Sequence, residues 1–254
     1  PHGVLFRGNT EADIRTNIVK RGYIKGIIGL PANLFYGTGI PACIIVLDKK
    51  DAPNRKGIFM IDASKGYVKD GNKNRLREQD IRKIVDTWTS QLEIPKFSRF
   101  VPNEEIAEKN QYNLNLPRYI DTQKPEDIQD IEAHLKGGIP EADIEALSAF
   151  WEVCPALRKD LFKPSDRKGY SKLAVEPSEV RGTILDNKEY HAFRGRVDAT
   201  FGKWRDEVFP ELKSISTKDN PKVIIQLIAD KLLSHCAKLH LIDKYDIYQH
   251  LMNS

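Results

Sequence analysis

The sequence predicts an α/β fold followed by a mostly α remainder, and three observations predict it. Short apolar runs rich in β-branched residues recur at 23–28, 42–47 and 58–61 after one helical stretch. A mixed stretch then carries a single strongly amphipathic helix. Beyond residue 125, segments opened by proline and acidic residues carry apolar side chains at helical spacing almost to the end. The division that follows is 1–64 as the end of an α/β domain, 65–124 as a mixed connector and 125–254 as a helical domain.

Taking the elements in order, Val4-Leu5-Phe6 reads as the end of a strand that Gly8-Asn9-Thr10 turns. Asn9 or Thr10 caps a helix running to Lys20, and Glu11 and Asp13 sit well against its dipole. Ile14, Ile18 and Val19 are expected on its buried side. The three apolar runs are expected to be strands covered on both faces, because continuous apolar sequence suits that environment.

In the connector, residues 65–77 form a basic loop bearing glycine and asparagine with Tyr67 among the lysines. A helix is expected over 76–92, with Ile81, Ile84, Val85 and Trp88 on one face. Residues 98–101 read as extended, and Asn103-Glu104-Glu105 opens a short helix after Pro102. In the last part, Pro125-Glu126-Asp127 and Pro140-Glu141-Ala142-Asp143 each start a helix, separated by Gly137-Gly138. The second is expected to run to Val153, where Pro155 breaks it. Helices follow over 178–187 and 190–208, the latter closed by Pro210. Asn220-Pro221 starts a last helix continuing towards His250. On it Ile225, Ile228, Leu232, His235, Leu239 and Ile242 alternate at spacings of three and four, a short heptad seam widened by Ile224, Leu227 and Ala237. Packing inside a local bundle explains such a seam, and so does docking of a partner helix.

Composition narrows the function classes. The chain is 40% hydrophobic and carries a formal net charge of +4, which permits contact with nucleic acid without implying it. No apolar run approaches a membrane span and no signal peptide is visible, so a cytoplasmic location is expected. Three separated cysteines form no disulfide framework. His235, Cys236 and His240 lack the spacing of a metal pair, so no metal site is expected. Cys43, inside a strand, reads as an apolar filler. Arg194, Arg196, Lys203 and Arg205, interleaved with Phe193, Phe201 and Trp204, could touch phosphates, but a solvated helix face over an aromatic core explains them equally well and is the preferred reading.

The connection between the second and third strand-like runs is the most unusual stretch. It is too long for a tight hairpin, and it holds Asn33-Leu34-Phe35-Tyr36-Gly37-Thr38-Gly39. Its aromatic pair offers flat faces on which a planar ligand could stack. The plain alternative is a surface loop whose Phe35 folds back onto the core.

Several stretches together resemble one family. They are Pro1-His2-Gly3-Val4-Leu5-Phe6-Arg7-Gly8, Glu11, Ile14-Arg15, Leu30-Pro31 and the run from Leu34 to Pro41. Later come Tyr112-Asn113-Leu114-Asn115 with Arg118-Tyr119-Ile120, Gly138-Ile139-Pro140, Phe150-Trp151 through Leu161-Phe162, and Asp166 to Tyr170. The chain resembles the modification subunit of type I restriction–modification systems, an N6-adenine DNA methyltransferase. The resemblance implies the last strands of a methyltransferase-type, Rossmann-like sheet followed by a helical tail. It also implies S-adenosylmethionine as methyl donor and double-stranded DNA as substrate. The implied partners are a DNA-specificity subunit, reached through the C-terminal helices, and a restriction subunit in the full complex.

Two features of such enzymes are missing. The chain has no Gly-x-Gly turn opening off an early strand and no Pro-Pro pair, hence no Asn/Asp-Pro-Pro-aromatic tetrapeptide. The expectation is therefore the C-terminal portion of a longer polypeptide, with no catalytic residue of its own and no methyl transfer by itself. A non-catalytic helical assembly module for the specificity subunit is the alternative. A target adenine must be rotated out of the duplex at a cost of a few kcal/mol, and stacking on an aromatic face returns about 1–3 kcal/mol. The resemblance gives that stacking role to Phe35, with Tyr36 second. Asn33, Gly37 and Gly39 would support the loop, and Lys65, Lys69, Lys73 and Arg75 are the candidates for phosphate contact.

Overall fold

The strands form where the apolar runs place them, and their order sets the position of the long loop. The computed structural model describes residues 1–122 and 130–253. Two compact units divide the chain, Pro1–Pro125 and Glu126–Ser254. The expected helix start at Pro125-Glu126-Asp127 lies outside the described residues.

In the first unit, helix α1 (Thr10–Lys20) precedes strands β1 (Ile24–Gly29), β2 (Cys43–Leu47) and β3 (Gly57–Asp62). A small hairpin, β4 (Val68–Asp70) and β5 (Lys73–Arg75), leads to helix α2 (Glu78–Ser90) and strand β6 (Ser98–Pro102). The main sheet has the order β2-β1-β3-β6. β1 runs antiparallel to β2 and parallel to β3, and β6 is antiparallel to β3. One face is covered by a cluster containing Leu5, Ile27, Met60, Ile106 and Leu116. The other carries Ile28, Phe59, Ile61 and Ile84, with Trp88 of α2 packed on them. Trp88 can lie close because position 26 is glycine; a Cβ there would sit 2.2 Å from its ring and 2.7 Å from the Phe59 carbonyl oxygen.

Three expectations for this unit change. Residues 4–6 do not end a strand. His2–Leu5 is a 3₁₀ turn whose Gly3 carbonyl accepts from the Phe6 and Arg7 amides, so Leu5 points inward while Val4 and Phe6 stay exposed. The buried side of α1 is formed by Arg15 and Val19, and Ile14 is exposed. β3 is buried along its whole length, as an apolar run suits, but β2 is not covered on both faces. It is an edge strand, and Ile44, Ile45 and Leu47 are exposed. The stretch after residue 64 also contributes to the main sheet, through β6. The short helix after Pro102 takes π form, Glu105–Lys109.

The second unit is not purely helical. Helix α3 (Ile131–Lys136) leads into β7 (Ile139–Pro140). The expected helix over 140–153 is broken into α4 (Glu141–Glu145) and α5 (Ser148–Val153), and α6 (Pro155–Leu161) follows. β8 (Phe162–Pro164) and β9 (Tyr170–Leu173) complete a three-stranded sheet of order β7-β9-β8. These strands are too short to leave a period in the sequence. After α7 (Val180–Leu185), helix α8 (Lys188–Lys213) runs straight past Pro210. Proline sits there within a turn of the helix end, and Glu211 just beyond it pairs with Lys231 of α9 (Pro221–Cys236) at 2.7 Å. Trp204 donates its indole N–H to the Ile228 carbonyl at 3.1 Å, and Val208, Leu232 and Cys236 surround it. The last helix does not reach His250. It ends at Cys236, Leu241 takes a left-handed conformation, and α10 (Lys244–Asn253) folds back on α9. The heptad reading fails accordingly. Leu239 and Ile242 lie beyond the helix, and Ile225 is exposed.

Candidate functional site

The loop after β1 and the β4–β5 hairpin lie beyond the carboxyl ends of two parallel neighbours, β1 and β3. Open α/β sheets bind ligands at that edge. The Ala63 amide donates to the Gly29 carbonyl at 2.9 Å, tying the two exits together. Leu34 turns inward and packs on the Ile28–Phe59 cluster. This resolves the alternative raised by the sequence: Leu34, not Phe35, folds back onto the core. Phe35 and Tyr36 project outward, 55% and 93% exposed.

The hairpin grips the backbone of the loop. The Asn74 amide donates to the Asn33 carbonyl at 3.0 Å, and the Asn74 side-chain amide donates to the Ala32 carbonyl at 2.7 Å. Lys73 donates its ammonium to the Phe35 carbonyl at 2.8 Å and stands 5.9 Å from the Tyr36 ring. Asn33 and Gly37 both have positive φ, 57° and 78°. A Cβ on Gly39 would meet the Asn33 carboxamide oxygen at 3.0 Å, so the loop is packed around that side chain. Thr38 accepts the Ile40 amide at 3.1 Å through its hydroxyl.

The four basic candidates divide. Lys73 is engaged with the loop, and Arg75 pairs with Asp70 at 3.2 Å across its own hairpin. Lys65 is exposed, and so is Lys69, 5.9 Å from the Tyr67 ring. Asn74 is the residue that sequence reading missed. It is 6% exposed in a hairpin of otherwise polar, solvated residues. Only its alternation with the charged Lys73 and Arg75 on either side hinted that it faces inward.

The remaining family-like stretches are structural pins. The buried Arg15 guanidinium donates to the carbonyls of Tyr112 (2.8 Å), Val4 (3.1 Å) and Arg7 (3.0 Å). Leu114 donates its amide to Leu5 at 2.8 Å, and the Tyr119 hydroxyl bonds to the Asn113 carbonyl. Burial, with Glu105 nearby, pushes the Tyr119 phenol up to about 12. Among the described residues no three His, Cys, Asp or Glu side chains gather as a metal site. Nor is any helix long and apolar enough to cross a membrane.

A family model described as N-6 DNA Methylase matches residues 1–128. The chain belongs to this family. It is 43% identical over 131 residues to the type I restriction enzyme MjaVII methylase subunit of Methanocaldococcus jannaschii, covering 50% of the chain and 22% of that protein. It is 35% identical over 130 residues to the MpnII methylase subunit of Mycoplasma pneumoniae, covering 51% and 24%. The chain thus spans about a quarter of the length of these curated relatives. A solved type I restriction–modification methyltransferase subunit from Streptococcus thermophilus is 46% identical, with TM-score 0.44, over 48% of this chain and 25% of that one.

The acid at the carboxyl edge, Asp62, is buried and accepts the Ser64 amide at 2.9 Å, serving its own turn. The glycine turn and the Pro-Pro tetrapeptide are absent from the sequence.

Proposed function

We propose that this chain supplies the base-facing loop and the helical tail of a type I restriction–modification methylation subunit. The complete subunit would methylate adenine N6 in double-stranded DNA with S-adenosylmethionine. The observation that carries the reading is the outward aromatic pair, held by a hairpin at the carboxyl edge of the parallel strands. Phe35 serves as the face against which the extruded base stacks, with Tyr36 beside it. Asn33, Gly37 and Gly39 shape the loop, and Lys73 with Asn74 hold its backbone still. Fixing the loop before the base arrives reduces the ordering cost of binding. Lys65 and Lys69 are the hairpin cations free to meet phosphates. The complete subunit would supply the catalytic tetrapeptide and the cosubstrate cradle in this reading.

The test is Phe35→Ala in a subunit that contains both this chain and the cosubstrate-binding region. Loss of one aromatic face removes about 1–3 kcal/mol of base stacking, so methylation should fall about five- to a hundredfold with the circular dichroism unchanged. The 254-residue chain alone should transfer no methyl group. Undiminished methylation by the Phe35 variant, or turnover by the chain alone, overturns the reading.

The helical unit carries the assembly role in this proposal. Phe209, Leu212, Ile215, Val223 and Ile225 are exposed near the α8–α9 turn, more apolar surface than solvation favours. Leu212→Lys with Ile225→Lys should abolish co-purification with the specificity subunit while leaving the helical content intact. Retained capture would remove the assembly role from this face.

A further inference from the structure

Sequence reading left Arg196 and Lys203 between phosphate contact and a solvated helix face. The structure places them on the wall of a cleft of about 430 Å³ within the second unit. The facing wall comes from the end of α9 and the turn after it, and contributes His235, Lys238 and His240. No acidic side chain lines this cleft. Arg196, Lys203 and Lys238 form no ion pair among the described residues. Glu207, the carboxylate bonded to His235 at 2.8 Å, is also held by Lys231 at 3.1 Å.

Two ordinary explanations fall short. Cations near a helix C-terminus complement its dipole, which accounts for His235 and Lys238 at the end of α9. It does not account for Arg196 and Lys203, which come from the interior of α8. A face turned only to solvent would intersperse both signs, as Arg205 does by pairing with Asp206 at 2.8 Å. Three uncompensated cations converging on one concavity raise its potential and favour an anion with several oxygens. Phe193 and Leu239 add apolar surface to the lining, while Arg196, Lys203 and Lys238 are themselves exposed and so accessible to a large polyanion.

We propose that this cleft binds the phosphate backbone of duplex DNA without regard to sequence. The choice of polyanion rests on the function proposed above, and the site itself does not involve the aromatic loop. It holds the tail on the substrate, beyond the methylated base.

The experiment measures binding of the 254-residue chain to a labelled duplex of arbitrary sequence over a salt series. Each neutralised phosphate contributes about −0.9 to the slope of log affinity against log salt. The triple variant R196Q/K203Q/K238Q should therefore bind at least tenfold more weakly at ~0.1 M salt and lose about 2–3 from that slope. The control R205Q/K213Q/K222Q removes the same charge outside the cleft and should bind as the parent does. Equal loss in both variants, or no loss in the first, overturns the proposal. So does tight binding of inorganic phosphate to the cleft with no duplex binding, which would assign it to a small anion. Phe35→Ala is expected to leave these curves unchanged, so the outcome is read separately from methylation.

Discussion

Arg15 shows how much a single side chain carries here. It is 8% exposed and bonds three backbone carbonyls from two stretches far apart in sequence. Replacing it by methionine keeps the bulk but strands three buried acceptors. Each costs about 1–3 kcal/mol before relaxation, so a net loss of about 3 kcal/mol is expected. Amide exchange at Leu114, whose N–H bonds to Leu5, should speed up first. Unchanged protection there would show that the turn stands without Arg15. The sequence singled out Arg15 as part of a resemblance but assigned the buried face of α1 to Ile14. Apolar spacing cannot reveal a buried guanidinium, because its partners are carbonyls that any residue supplies. Asn74 was hidden for the same reason, since its targets are the backbone oxygens of Ala32 and Asn33.

Between elements, the α8–α9 contact combines an apolar seam with an ionic one. Lys231 reaches Glu207 at 3.1 Å and Glu211 at 2.7 Å, and His235 bonds Glu207. Hydrogen bonds from His235 and then Lys231 hold the Glu207 carboxyl below its ordinary value, and the two carboxylates raise Lys231 above its own. The signs follow from linkage. A depressed acid adds stability above its unfolded value and loses it as pH falls through the folded one. A raised base adds stability below its unfolded value and loses it as pH rises through the folded one. The contact is thus strongest between about pH 5 and pH 10. Thermal unfolding followed by circular dichroism should show Glu207→Gln flattening the acid-side decline. An identical pH profile would show that solvent screens the pair completely. The helices α1 and α2 were legible, α1 from the turn before it and α2 from its apolar spacing, although the Asn9 side chain makes no cap hydrogen bond. The continuation of α8 past Pro210 was not, because the contact just beyond it, Glu211 with Lys231 of α9, joins residues distant in sequence.

At the scale of the molecule, the main sheet ends on β2 with its apolar side chains in solvent. An edge strand offers unpaired backbone groups, and here Ile44, Ile45 and Leu47 add an exposed apolar surface. An apolar cleft of about 280 Å³ beside it is lined by Val4, Ile14, Ile18, Ile45 and Leu47. The chain by itself is expected to self-associate through this edge. Sedimentation velocity should show concentration-dependent association that Ile45→Lys with Leu47→Lys reduces. Monomeric behaviour of the parent chain at all concentrations would exclude an adhesive edge.

The sequence by itself determined the family, the strands of the first part and the long loop between two of them, because apolar period, turn residues and extended resemblance are written locally. Tertiary structure decided which strand lies at the edge, which basic residues are occupied and which face a common cleft. Those are relations between distant residues, set by strand order and helix packing, and no window of sequence contains them.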